Sequence, residues 1–178
     1  MSVEQMISAA LAKMKSEFSD EDLTLDFEDA CERRRLNALC RDITFSDVEK
    51  AAEHIKQNLT LNEEGQIVLY RFFSQAPVEQ TEFGVYGEVE NVSFGKYWTF
   101  NPSVQKQQLL QYGTLTHGVT GTIDAEKLDW IDTILYNVAN AEGVSPEDEV
   151  SFINRRTVSV KVTEAPFTTE TISTENKT

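Results

Sequence analysis

The chain is short of cations. Its 178 residues hold 16 Lys and Arg against 30 Asp and Glu, giving a formal net charge of −14. The shortage is uneven. Residues 1–60 carry 13 acids and 8 bases, residues 61–150 carry 14 acids and 4 bases, and residues 151–178 carry 3 acids and 4 bases. A middle section this acidic repels phosphate backbones and anionic lipid surfaces, and it attracts basic ones. Direct nucleic-acid binding is therefore not expected, and a basic protein surface is the expected partner.

Residues that carry metal and nucleophile chemistry are equally scarce. There are two histidines, His54 and His117, with no pair at ligand spacing. Two cysteines, Cys31 and Cys40, do not form a C-x-x-C. On one helix their spacing sets them about 180° apart and roughly 13 Å along the axis, too far for a disulfide. They read as buried, reduced thiols. "DAEKLDWIDTIL" starts with alternating acids but lacks the glycine and closing glutamate of a calcium loop. No G-x-S-x-G and no phosphate loop occurs. No metal and no cofactor is implied, and a non-enzymatic protein is expected. No apolar run approaches the ~18 residues of a membrane span. "MSVEQMISAALAKMKSEF" has no basic leader before an apolar run. A cytoplasmic protein is the expectation.

What is there reads as α+β. Helices are expected over about residues 2–59, followed by a mostly antiparallel sheet with interleaved helices and a mobile C-terminal tail. The divisions are 1–60, 61–164 and 165–178. Val3, Ile7, Ala10, Met14 and Phe18 make one stripe at steps of three and four, behind a Ser2–Gln5 capping box. A second helix is expected through "DFEDACERRRLNALCRD", and a third from Ser46, where "SDVE" offers another box. "LNEEGQ" is a glycine turn. "IVLYRFF" is a strand apolar on both faces, "TLTHGVTGTI" is extended, and "NRRTVSVKV" alternates as a last strand.

Two clusters have ordinary explanations. The triple arginine of "ERRRLNALCRD" is flanked by Glu28, Asp29 and Glu32, so pairing along the helix accounts for it. Phe72, Phe73, Phe83, Tyr86, Phe94, Tyr97, Trp98 and Phe100 crowd a short stretch where core packing explains them better than base stacking. Glu88 and Glu90 share a strand face roughly 7 Å apart, the reach of a glycosidase pair, but nothing beside them marks a cleft.

The stretch 124–150 is different. A helix over 124–140 with Asp124 as its cap puts Leu128, Ile131, Ile134, Leu135 and Val138 on one face. Glu126, Asp129 and Asp132 wind around the other side. A short helix from Ser145 carries Glu147 and Asp148 in its first turn. That leaves Glu126, Asp129, Asp132, Glu142 and Glu149 with few cations to pair. They are the candidate binding residues of an anionic surface. The expected function is a protein-binding or inhibitory one, in its sharpest form a phage-type DNA mimic seated in the phosphate groove of a host enzyme. The alternative is a structural subunit of an assembly such as a virion. Homo-oligomerisation is compatible with either.

Overall fold

The computed structural model describes residues 1–33, 42–73, 98–101, 117–141, 148–153 and 161–168. They form an α+β arrangement with its first helices at the N-terminal end, as the periodicity implies. Helix α1 (Val3–Glu17) buries Val3, Ile7, Ala10 and Met14. Ser2 Oγ accepts the Gln5 N–H at 3.2 Å, and the Gln5 side chain accepts the Ser2 N–H at 2.9 Å.

Helix α2 (Asp20–Arg33) starts six residues before the expected site, because a second box intervenes. Ser19 Oγ accepts the Asp22 N–H at 3.1 Å, and Asp22 accepts the Ser19 N–H at 2.9 Å. These bonds hold the Asp22 carboxyl below its ordinary value, the Ser19 backbone bond first and its hydroxyl second. A lowered carboxyl stabilises the fold above its unfolded value of about 4, and that support is lost as pH falls through the folded value. Leu23, Phe27 and Ala30 are the buried stripe of α2.

Helix α3 (Phe45–Asn58) likewise begins just ahead of the expected Ser46. Its box is Thr44–Asp47, with the Thr44 N–H donating to the Asp47 carboxylate at 2.8 Å. Val48, Ala51, Ala52 and Ile55 form its buried face.

The glycine turn stands where expected. Gly65 has a φ of +79°, a left-handed conformation that disfavours any side chain. Asn62 Oδ1 accepts the N–H groups of Glu64 and Gln66, closing the turn. Strands β1 (Ile67–Phe73), β2 (His117–Ile123) and β3 (Lys161–Thr168) form an antiparallel sheet in the order β1-β2-β3. The edge of β1 away from β2 is extended by single bridges. Thr99 pairs with Tyr70, and Glu149 pairs with Thr99.

After β2 the expected single helix over 124–140 is broken. Ala125–Lys127 is one 3-10 turn, and helix α4 runs from Trp130 to Ala141. Asp124 caps nothing with its side chain and instead accepts from Gln66 at 3.0 Å. The cap of α4 is Asp129, whose Oδ1 accepts the Asp132 N–H at 3.1 Å. The break follows from the strap of residues 148–153. Asp129 N–H donates to Ser151 O, and Ile153 N–H donates to Lys127 O, which holds 127–129 extended. The helix expected from Ser145 does not extend into the strap: Asp148 takes a left-handed φ of 47°, Glu149 bridges Thr99, and 142–147 lie outside the described residues.

Helix α4 is the centre of the packing and lies against α1, α2 and α3. Trp130, Ile134, Leu135, Tyr136, Val138 and Ala139 are all buried, with Phe27, Ile7, Ile55, Trp98 and Phe100 in the same core. Among the described residues no helix is long and apolar enough to cross a membrane.

The mobile tail expected from residue 165 is corrected in part. Phe167 pairs with Gly118 and Thr168 with His117, so 165–168 complete β3. Residues 169–178 lie outside the described residues. Truncation after Glu164 removes these pairings and should lower the melting temperature by several degrees, since ~1 kcal/mol shifts a chain of this size by about 2–4 °C. Differential scanning calorimetry of that truncation against the full chain is the check. An unchanged melting temperature would show that β3 adds nothing.

Candidate functional site

The acidic row does not form one surface. Glu126 is exposed on the 3-10 turn and Asp129 is half-buried as the α4 cap. Asp132 is 8% exposed and Glu149 is 9% exposed, so neither is the solvent-facing carboxylate expected of it. Glu142 lies outside the described residues. The cause is the position of α4. A helix buried at ten of its twelve residues has little wet face on which to place Asp132, whatever its wheel suggests. The strap gives Asp132 a partner in the Ser151 hydroxyl, and its backbone serves α4: the Ser151 N–H donates to Thr133 Oγ1 at 3.0 Å, and Asn137 Nδ2 donates to the Glu149 backbone carbonyl at 3.0 Å and to the Thr133 carbonyl at 2.7 Å. Asp132 and Glu149 therefore join the α4–strap seam and leave the binding set.

A second polar cluster joins residues far apart in sequence. His54 Nε2 on α3 donates to Asp148 Oδ1 at 2.8 Å, and Asn101 Nδ2 donates to Asp148 Oδ2 at 2.7 Å. Asn58 Nδ2 lies 3.3 Å from His54 Nδ1 and donates to His54 O at 2.8 Å. The Asp148 carbonyl accepts the Thr99 hydroxyl and the Phe100 N–H. Both ring nitrogens of His54 are therefore engaged within the protein. The cluster is a clasp that fastens α3 to the 98–101 segment and the strap. Asp148 sits at its hub with a φ of 47°, a left-handed conformation that Asp tolerates better than most residues. Nothing in the sequence signalled this clasp, since His54 and Asp148 are 94 positions apart.

Among the described residues, solvent-facing acid is concentrated instead on α2. Asp20, Glu21, Asp22, Asp26, Glu28 and Asp29 are all exposed. First-turn acids are expected at a helix N-terminus, because they complement its dipole. Asp26, Glu28 and Asp29 lie beyond that turn. Among them Leu25 is 56% exposed. Its helical neighbours at i−4, i−3, i+3 and i+4 are Glu21, Asp22, Glu28 and Asp29, so an apolar side chain stands inside a ring of four carboxylates. A helix read as starting at Asp26 leaves Glu21 and Asp22 out of this ring. The Ser19–Asp22 box and the Leu23, Phe27, Ala30 spacing were the available signals.

Other candidates fall elsewhere. Trp98 and Phe100 are core residues at 1% and 0% exposure, which is the packing role expected of them. Phe83, Tyr86, Phe94, Tyr97, Glu88, Glu90 and Cys40 lie outside the described residues. Among the described residues no group of three or more His, Cys, Asp or Glu side chains is placed to hold a metal ion. No family model, curated protein or solved structure matches this chain.

Two stability predictions follow from the buried acids. Asp132→Ala removes the acceptor of the Ser151 hydroxyl and should destabilise by about 1–3 kcal/mol, whereas Glu126→Gln should stay within about 0.5 kcal/mol. Urea denaturation of both variants checks this, and equal midpoints would contradict the burial assignment. At the clasp, Asp148→Ala should destabilise more than Asp148→Asn. Asn keeps a polar side chain and tolerates the left-handed conformation, while Ala forfeits both. A reversed order of melting temperatures would remove Asp148 from the hub.

Proposed function

We propose that this protein binds a basic protein surface through the outer face of α2, with Leu25 as the anchor and Glu21, Asp22, Glu28 and Asp29 as the ring. The observation that carries the reading is the exposed leucine within four acids. An acidic helix alone is explained by solvation. An exposed leucine at its centre gains nothing from solvent, and it suits a partner with an apolar pocket rimmed by Lys or Arg. The chemistry divides accordingly. The carboxylates steer the encounter and fix orientation, and burial of Leu25 prolongs the complex. A net charge of −14 extends the attraction toward any cationic partner. The expected inhibitor fits the same face, since a groove lined with cations for phosphates also accepts carboxylates.

The face rests on a supported helix. Leu23 and Phe27 lock α2 into the core at 1% and 0% exposure, so the outer face needs little ordering on binding. The test is affinity capture from a lysate with mass spectrometry, followed by titration of the captured protein. Leu25→Ala should weaken binding by about tenfold or more, mainly through faster dissociation. Neutralising Glu21, Asp26 and Glu28 together should slow association and flatten the salt dependence. Both variants should melt like the wild type, because every changed side chain is exposed. Competition by duplex DNA would identify the partner's groove as a phosphate site. Undiminished binding by both variants at low salt would end the proposal.

A further inference from the structure

An open apolar groove of about 340 Å³ lies between α1 and the segment that leads into α4. Met6, Leu128, Trp130 and Ile131 line it, and Ile153 stands 67% exposed as a wall. Lys13 and Asp129 are its two charged lining residues. We infer that this groove is the contact surface between two copies of the chain, related by a two-fold axis.

Three observations select a second copy. A two-fold interface pairs each residue i with j and j with i, so the surface must be complementary to itself. This groove carries one cation and one anion, and two-fold pairing sets Lys13 of one copy against Asp129 of the other, twice. It also carries an apolar lining and the exposed Ile153, which can cover the lining of the other copy. Finally, two chains of net charge −14 repel each other, so they can associate only where charge is balanced. Helix α1 offers Glu4 and Glu17 against Lys13 and Lys15, whereas α2 offers seven acids against one arginine. Contact through the groove thus brings together the balanced helices.

The inference is independent of the α2 reading, and the variants separate the two. In sedimentation equilibrium over a roughly hundredfold concentration range, the wild-type chain should show a reversible dimer of twice its 20.2 kDa mass. Ile153→Asp and Lys13→Glu should each weaken dimerisation by about tenfold or more, with unchanged melting curves because both side chains are exposed. Leu25→Ala should dimerise like the wild type. A wild-type chain that stays monomeric at the highest concentration would overturn the inference and leave the groove to another occupant. So would an Ile153→Asp variant that dimerises as well as the wild type.

Discussion

Helix α4 is buried at ten of its twelve residues, so nearly all its polar groups must find partners inside the protein. Leaving a buried donor or acceptor unmet costs about 1–3 kcal/mol, so the enclosure cannot form unless something supplies those partners. The strap of residues 148–153 supplies most of them. Its Ser151 serves Asp132 through the hydroxyl and Thr133 through the N–H, and its Glu149 carbonyl receives Asn137. One acceptor, Asn140 Oδ1, remains buried without a hydrogen bond. The position of α4, the course of the strap and the burial of two acids are one arrangement.

The strap in turn needs its own anchorage. Asp148 provides it by taking His54 and Asn101 on its carboxylate and Thr99 and Phe100 on its carbonyl. These bonds hold a left-handed residue that would otherwise relax. They also tie the strap to α3 and, through the Thr99–Tyr70 bridge, to β1. The helical layer and the sheet are thereby joined by hydrogen bonds as well as by apolar packing.

Charge is sorted around this framework. Apart from Asp132, α4 carries no Asp, Glu, Lys or Arg, since a buried helix has little solvent to hold a charge. Asp20, Glu21, Asp22, Asp26, Glu28 and Asp29 of α2 face outward, and α1 is balanced. The lack of lysine over Trp130–Ala141, which suggests an anionic face when read as sequence, is better explained by burial. A helix with one charged residue in twelve is a core helix.

The sequence by itself determined the features that depend on neighbours a few residues apart. The stripe Val3, Ile7, Ala10, Met14 and the Ser2 box specify α1, because helical periodicity and capping are local. The apolar run Ile67–Phe73 and the threonines of β2 specify strands for the same reason. Tertiary structure decided whatever depends on what lies opposite. A helical wheel shows which side of Asp132 is polar, but not that the strap covers that side. The Asp148 geometry comes from His54 and Asn101, which chain topology delivers from distant positions. Charge counts gave the net charge of −14. Only the fold decided which acids keep contact with water, because solvent exposure is set by the packing of whole elements and not by any one of them.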